Sequence, residues 1–372
     1  MAAFATTLLM TVTGACADNV PDYVNTAANH IQMNGADWSA LRNKLTRLQT
    51  AGDTTVRILH IGDSHIQAET VTNRVRDILQ QAYGNAGRGL MMPLRLAGTN
   101  QSQDFSVTAT PGTEFYQTRL LKLPWPVKPG VTGIAVAPKS DTRLTWRATG
   151  SGHATKELDV LTSDGTRRFS YSAPMDSVTV DIPAGQAVYG AISTNGKPGL
   201  LYSAIGNNGA TFNDYLLIDS YAAHTRQFQP DLIVLSMGTN EAFSPMTDAE
   251  IEWSVRELLR TLHNANPEAA LLLLTPMECH TNREPGHWDR WPEYRINTRN
   301  AEVAQIIRNV AVRQHVPLWD FFTIAGGNGS SDRWIADGLM NNRDHIHLIT
   351  KGYQLQGDLM GQALLEAFGY CK

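Results

Sequence analysis

Four short segments of the chain carry groups suited to acyl transfer. Together they hold a hydroxyl that could act as nucleophile, an imidazole that could act as base, a carboxylate to orient it and amides to face an oxyanion. In chain order the segments are Gly62-Asp63-Ser64-His65, Gly206-Asn207-Asn208-Gly209-Ala210, Gly238-Thr239-Asn240-Glu241 and Asp344-His345-Ile346-His347-Leu348. Each stands where a strand is expected to end, and strand ends of an α/β sheet border one crevice. The sequence therefore predicts a single site built from all four segments.

The elements around these segments alternate between strand and helix. Residues 55–61 form a β-branched run and residues 67–83 have helical spacing, so Ser64 is predicted at a strand-to-helix turn. Further strands are predicted at 232–236, 270–274 and about 317–320, and further helices at 38–48, 212–227, 248–263, 297–313 and 352–368. This alternation predicts a parallel sheet with helices on both faces.

Residues 98–200 have a different pattern. Short runs rich in Thr, Val and Tyr alternate with Gly, Pro, Asn and Asp, at 105–109, 131–137, 143–148, 178–182 and 188–193. Such runs are typical of an all-β sandwich or jelly roll. We therefore expect an all-β module inserted into an α/β domain that comprises residues 18–97 and 201–372.

Composition excludes several classes of protein. The 372 residues include 31 Lys and Arg against 35 Asp and Glu, a net charge of −4, which argues against a nucleic-acid partner. A hydrophobic content of 42% and a charged content of 18% are typical of a folded chain. No apolar run is long enough for a polytopic membrane protein, and we expect no transmembrane domain. We expect a monomer.

The N-terminal segment predicts export. Residues 1–17 are apolar and small and end at Ala15-Cys16-Ala17, a cleavage-like sequence, so we interpret them as a signal peptide and expect a periplasmic or secreted protein. The usual basic residues are missing, which leaves a buried helix as one alternative, and a lipoprotein acylated at Cys16 is another. After cleavage Cys279 and Cys371 remain, and they could form one disulfide in an oxidising compartment. The cysteine spacing does not indicate a zinc site.

The four segments, in this order, resemble the conserved blocks of the SGNH (GDSL-type) esterase superfamily. The resemblance covers about residues 55–95 and 200–370 and implies a three-layer α/β fold. It implies Ser64 as nucleophile, His347 as general base and Asp344 as the acid that orients it. The oxyanion hole would consist of the Ser64 and Gly209 backbone amides and the Asn240 side chain. No metal and no cofactor is required by this chemistry.

Several residues compete for these roles. Ser64 could be only a helix N-cap, although the other three blocks argue against that. His65 is adjacent to Ser64, and neighbours on a sharp turn point apart. Gly206 is a rival of Gly209 for the oxyanion amide.

The acid and the base also have rivals, Asp337 and His345. A spacing of three residues lets one turn bring Asp344 and His347 together, whereas the adjacent Asp344 and His345 would diverge. We therefore favour the pair Asp344 and His347. Structural roles are expected for Asp63, at the turn, and for Glu241, beside the Asn240 loop.

A narrower resemblance concerns the substrate. Gly209 follows Ser64 by 145 residues, far more than a helix and a strand need. The chain resembles bacterial peptidoglycan O-acetylesterases in three features. These are the sequence Gly-Asp-Ser-His-Ile-Gln-Ala at 62–68, the sequence Asn-Gly-Ala at 208–210 and an inserted module similar to a carbohydrate-binding module. That resemblance implies removal of 6-O-acetyl groups from muramic acid in the periplasm, with an O-acetylated glycan as the binding partner.

Other functions stay open at this point. The same residues would serve an exported deacetylase of another polysaccharide or a general SGNH lipase or esterase. A glycan-binding protein or an acetyltransferase on the same fold are further alternatives. We expect the inserted module to position polymer and to contribute little to the chemistry, with Tyr116, Trp125 and Trp146 as candidates for stacking on sugars, although at least one of them should be core.

Overall fold

The computed structural model describes residues 20–150, 152–284, 286–287 and 289–370. The predicted signal peptide at 1–17, the acylation candidate Cys16 and the disulfide candidate Cys371 lie outside the described residues. Cys279 is buried, and its thiol donates to Asn300 Oδ1 at 3.2 Å. Among the described helices, none is both long and apolar enough to cross a membrane.

The strands are β1 (Thr55–Gly62), β2 (Gly89–Met91), β3 (Phe105–Ala109), β4 (Phe115–Arg119), β5 (Ile134–Pro138), β6 (Thr142–Ala148), β7 (Thr155–Thr162), β8 (Gly165–Met175), β9 (Ser177–Ile182), β10 (Val188–Thr194), β11 (Gly199–Gly206), β12 (Leu232–Ser236), β13 (Ala270–Leu274), β14 (His280–Thr281), β15 (Arg295–Ile296) and β16 (Leu318–Trp319). The helices are α1 (Ser39–Ala51), α2 (Ser64–Gln67), α3 (Thr70–Tyr83), α4 (Phe212–Leu216), α5 (Tyr221–His224), α6 (Asp248–Ala265), α7 (Arg299–Arg313), α8 (Phe321–Ile324), α9 (Ser330–Ala336) and α10 (Thr350–Ala367).

The predicted parallel sheet is present. Five parallel strands lie in the order β11-β1-β12-β13-β16. At the carboxyl edge, Gly62 pairs with Gly206 on one side and with Ser236 on the other. The segments that follow β1, β11 and β12 therefore leave the sheet side by side, which places three of the four motif segments at one edge.

Helices cover both faces of this sheet because its strands bury side chains on both sides. Ile58 belongs to a buried cluster that includes residues of α1, α3 and α10, whereas its neighbour Leu59 belongs to a second cluster that includes residues of α4, α6 and α7. Alternate residues of a strand point to opposite faces, so one apolar strand supports two helical layers. The α/β architecture predicted from the sequence is confirmed at this level.

Two predicted helices are interrupted. The helix expected over 67–83 is divided into α2 and α3 by Glu69, which has a φ of 58°. The helix expected over 212–227 is divided into α4 and α5 by Ser220, which has a φ of 55°, and a 3-10 turn at Thr225–Phe228 follows. An L-residue in the left-handed region ends a right-handed helix, and neither residue is a glycine that would have signalled the break.

Antiparallel sheets occupy the chain between α3 and β11. One has the strand path β4-β5-β10-β7-β8, with β2 also paired to β10, and the other has the order β3-β6-β9. β2 precedes residue 98, so the antiparallel pairing begins before the boundary expected from composition. Trp146 and Val178 of these sheets belong to the same buried apolar cluster as Leu59 of β1. The antiparallel strands thus share a continuous core with one helical layer of the α/β unit.

Candidate active site

Ser64 and His347 meet at the carboxyl edge of the parallel sheet. Ser64 is the first residue of α2, directly after β1. Its Oγ lies 2.8 Å from His347 Nε2, and His347 Nδ1 lies 2.9 Å from Asp344 Oδ2. The structure therefore brings the predicted nucleophile, base and orienting acid into one hydrogen-bonded chain. This is the arrangement in which a serine can lose its proton to an imidazole.

The electrostatics of the pair suit a general base. Partial burial opposes ionisation of Asp344, but hydrogen bonds from His347 and from the Ile346 amide hold the pKa of its carboxyl down at about 2. The hydrogen bond to Asp344 raises the pKa of His347 above its usual 6.5. With Nδ1–H donated to the carboxylate, the neutral imidazole presents an unprotonated Nε2 to the Ser64 hydroxyl.

His65 does not reach the position of a base. Its Nδ1 lies 3.0 Å from the Tyr353 hydroxyl, and its ring packs against the His347 ring with centroids 5.0 Å apart. Burial and the neighbouring His347 lower the pKa of His65 to about 3. His65 is therefore a neutral side chain that packs against His347 and does not act on Ser64.

The rivals His345 and Asp337 are bound elsewhere. His345 Nδ1 lies 2.9 Å from His280 Nδ1, and the His345 ring stacks on Tyr294 with centroids 4.2 Å apart. Asp337 is exposed and accepts a hydrogen bond from the Tyr23 hydroxyl at 2.9 Å. Neither side chain is part of the chain of hydrogen bonds to Ser64.

The backbone amides of Ser64 and Gly209 follow the paired strands β1 and β11, and neither has a protein acceptor within the described part of the chain. Gly209 is the third residue of a tight turn closed by a hydrogen bond from Ala210 N to Asn207 O at 3.0 Å. Its φ is 83°, whereas Asn208 has an ordinary negative φ, and these are the features of a type II turn. That turn needs glycine at its third position, so the geometry explains why a glycine stands there.

Gly206 has a different role from Gly209. It lies within β11, paired with Gly62, and a Cβ at this position would lie 2.2 Å from the backbone nitrogen of Gln67. Gly206 therefore allows α2 to approach the sheet, whereas Gly209 lies beyond the strand with a free amide.

Asn240 contacts Asp63, the residue before Ser64, and its side-chain amide is already hydrogen-bonded. Its Nδ2 donates to Ala210 O at 2.9 Å and to Asp63 Oδ2 at 3.3 Å. Of the predicted oxyanion donors, the two backbone amides are thus free, and the third has one longer hydrogen bond that a substrate oxygen would have to replace.

Two buried carboxyls support this loop arrangement. Asp63 caps α2 by accepting from His65 N at 2.9 Å, and burial raises its pKa to about 7. Glu241 accepts from Phe212 N at 2.7 Å, and burial raises its pKa to about 8. Since Phe212 begins α4, Glu241 ties the Asn240 loop to the element that follows Gly209. Both acids have the structural positions expected from the sequence.

Sequence reasoning missed residues that hold the turn around Gly209. The Tyr215 hydroxyl donates to Gly62 O at 2.5 Å and accepts from Asn207 Nδ2 at 3.0 Å. Gln67 contacts the same turn from α2. The side chain of Leu121, in the loop after β4, lies against Gly209, where a Cβ would be 2.7 Å from its Cδ1. Gln67 stands in the motif at 62–68 and could have been noticed there, whereas Leu121 had no signal.

Comparison with known proteins agrees with this geometry. Residues 183–355 match the GDSL-like Lipase/Acylhydrolase family. The matched range contains the segments of Gly209, Asn240 and His347, and Ser64 precedes it. No curated protein sequence matches the chain.

Solved structures with a similar fold include a peptidoglycan O-acetylesterase, with a TM-score of 0.77 and 22% identity, covering 92% of this chain and 99% of that chain. A lipase/acylhydrolase from Enterococcus faecalis has a TM-score of 0.35 and 20% identity, covering 47% of this chain and 78% of its own. The acetyl xylan esterase AlAXEase has a TM-score of 0.34 and 18% identity, covering 44% of this chain and 81% of that chain.

The family match and the fold similarity complement each other. The former covers three of the four motif segments, and the latter extends over nearly all of both chains, including the antiparallel strands. The chain is therefore a carboxylic ester hydrolase that resembles the SGNH (GDSL) type, and its overall fold resembles that of a peptidoglycan O-acetylesterase.

Proposed function

We propose that this protein removes O-acetyl groups from a glycan, with peptidoglycan carrying 6-O-acetylmuramic acid as the substrate. The observation that carries the proposed reaction is the chain of hydrogen bonds from Ser64 Oγ through His347 to Asp344, at 2.8 and 2.9 Å, beside two free backbone amides. Support for the substrate comes from the similarity to a peptidoglycan O-acetylesterase, which includes the antiparallel strands as well as the α/β unit.

The reaction begins with attack of Ser64 Oγ on the acetyl carbonyl carbon as its proton moves to His347 Nε2. The tetrahedral intermediate then expels the sugar oxygen, which takes that proton, and an acetyl-serine remains. Water attacks this ester while giving a proton to His347, and collapse returns the proton to Ser64 Oγ and releases acetic acid, which ionises to acetate. Asp344 stays ionised and stabilises the imidazolium in both steps.

The negative oxygen of each intermediate would be bound by neutral donors. The amides of Ser64 and Gly209 are available without rearrangement. We propose that Asn240 turns its 3.3 Å contact with Asp63 toward the substrate oxygen as charge develops there, while its shorter bond to Ala210 O stays. Donors of this kind bind the transition state more strongly than the ground state.

We further propose that residues 98–200 form a module that guides the glycan to Ser64. Tyr116 is 48% exposed and available to a sugar ring, Trp125 is half-buried with its Nε1 bound to Leu120 O, and Trp146 is core at 1% exposure. The continuous core and the position of Leu121 at Gly209 support a closer role in the site than the sequence suggested. Export to the periplasm through residues 1–17 is part of the same proposal.

The test compares acetate release from O-acetylated peptidoglycan, from acetylated xylan and from a p-nitrophenyl ester series, with Ser64→Ala as the inactive control. We expect the highest kcat/KM on peptidoglycan and a preference for acetyl over longer acyl groups. A higher kcat/KM on xylan, or on long-chain esters, would replace the proposed substrate. Full activity of Ser64→Ala would refute the mechanism.

A further inference from the structure

Gln67 is a buried polar residue of α2 that the proposed chemistry does not use. Its side chain is only 1% exposed and lies between the turn of Gly209 and the segment that leads into β3. The close contact of Gly206 with its backbone fixes the place of Gln67 at the end of the sheet. Burying a primary amide is costly unless both of its ends are hydrogen-bonded.

Both ends of the Gln67 amide have partners. Nε2 donates to Thr99 Oγ1 at 2.9 Å and lies 2.5 and 3.0 Å from Asn100 Oδ1 and O. Oε1 accepts from the Asn208 amide at 2.9 Å, and Asn208 Nδ2 in turn donates to Asn100 Oδ1 at 2.8 Å. Gln67 thus links Asn208, the residue before Gly209, to two residues in the segment between β2 and β3.

The link acts on a turn whose orientation matters. The peptide group between the second and third residues of a β-turn has opposite orientations in type I and type II turns. A flip from type II to type I would therefore reverse the direction of the Gly209 N–H. Asn207, the first residue, is fixed by hydrogen bonds from its side chain to Thr132 O and Tyr215 Oη. Gln67 holds the Asn207–Asn208 peptide by accepting from the Asn208 amide, and the hydrogen bond from Ala210 N to Asn207 O closes the turn, so the segment that carries the Gly209 amide is held from both sides.

We propose that Gln67 is a positioning residue for the oxyanion donor: through the Asn208 amide it holds the turn at Asn207–Ala210 in place, with the Gly209 amide toward the reacting carbonyl, and it couples that turn to Thr99 and Asn100. The proposal rests on the proposed esterase function, since it assigns the Gly209 amide to the oxyanion. It also gives the chain before β3 a direct influence on the chemical step.

The kinetic test uses Gln67→Leu and Gln67→Glu with Asn73→Leu as the matched control. Asn73 Nδ2 donates to Ser102 Oγ at 3.1 Å, so the control loses a contact to the same segment without touching the turn. Weakening one donor should lower kcat of Gln67→Leu by about 10- to 100-fold on a small acetyl ester, with KM changed less than about twofold. Gln67→Glu keeps the acceptor for Asn208 N and should recover part of that loss.

Several outcomes of this series would overturn the role. They are normal kcat in Gln67→Leu, an equal loss in Asn73→Leu, a loss that appears in KM alone, or a shift of the acid limb of the pH profile, which would implicate His347. Thermal unfolding of each variant identifies losses caused by misfolding.

A second measurement does not depend on esterase activity. In the ¹H–¹⁵N NMR spectrum, Gln67→Leu should shift or broaden the amide signals of Asn208 and Gly209, whereas Asn73→Leu should leave them in place. Unchanged Asn208 and Gly209 signals would refute the positioning role even if the enzyme is active. An inactive wild-type protein with the expected spectral change would instead refute the proposed function and retain the link between Gln67 and the turn.

Discussion

Replacing Glu241 with glutamine should change how the stability of this protein depends on pH. The Glu241 side chain is fully buried, its Oε1 accepts from Phe212 N at 2.7 Å, and its Oε2 has no hydrogen-bond partner among the described residues. Burial, with a contribution from nearby Asp63, raises the pKa of Glu241 to about 8. The native protein therefore keeps this carboxyl protonated at pH values where the unfolded chain ionises it.

The sign and size of the effect follow from that difference. Where the native state binds the proton and the unfolded state does not, the free energy of unfolding falls as pH rises, by about 1.4 kcal/mol per pH unit. Between an unfolded pKa of 4.5 and a folded pKa of about 8, the total is on the order of 5 kcal/mol. Glutamine does not titrate and still offers an oxygen to Phe212 N. The Glu241→Gln variant should therefore gain stability relative to wild type across this range.

Denaturant unfolding of both proteins at about pH 5, 7 and 9 measures this difference. Glu250→Gln is a suitable control, because exposed Glu250 accepts from Thr247 and its pKa is lowered from 4.5. Glu250 is therefore ionised in both the native and the unfolded state from pH 5 to 9, so its replacement should lower the free energy of unfolding by an amount that does not change with pH over this range. A stability difference between Glu241→Gln and wild type that stays constant over the whole range would refute the assignment of a proton to buried Glu241.

Three further predictions concern activity. Ser64→Ala and His347→Ala should each lower kcat by about 10⁴- to 10⁶-fold in an ester assay, whereas an inactive His345→Ala beside an active His347→Ala would reverse the choice of base. Asn240→Ala should lower kcat by about 10²- to 10³-fold with little change in KM, and a change in KM alone would assign Asn240 to substrate binding. Replacing residues 98–200 by a Gly/Ser linker should abolish hydrolysis of small esters as well as of polymer. The reason is that the deletion exposes the shared core and removes Thr99 and Asn100, the partners of Gln67. A folded deletion variant with normal activity on small esters would contradict this prediction.

The last prediction reverses an expectation drawn from composition. Turn-rich, β-branched runs identify antiparallel strands, but they carry no information about what the strands pack against. The structure joins Trp146 and Val178 to the core that contains Leu59, and β2 pairs with β10 across the expected boundary. A module that shares its core with the catalytic unit is not expected to be removable.

Local sequence predicted four of the five parallel strands, all but β11, together with most of the helices and the order of the motif segments. These features depend on side-chain periodicity and on short spacings, such as the three residues between Asp344 and His347, which a single chain displays directly. Apolar runs such as β12 and β13 are buried on both faces, so their type and place could be inferred without knowledge of their neighbours.

Tertiary structure decided which groups are free to act. His345 and His347 are two residues apart, and only the contacts of His345 with His280 and Tyr294 show that it is held away from Ser64. The free amide of Gly209 and the engaged amide of Asn240 likewise depend on partners distant in sequence. Such pairings form when strands and helices pack, and each is selected because a buried polar group needs a partner. The sequence by itself therefore determined the candidate catalytic residues and the elements that carry them, and packing decided their orientation and the residues that support them.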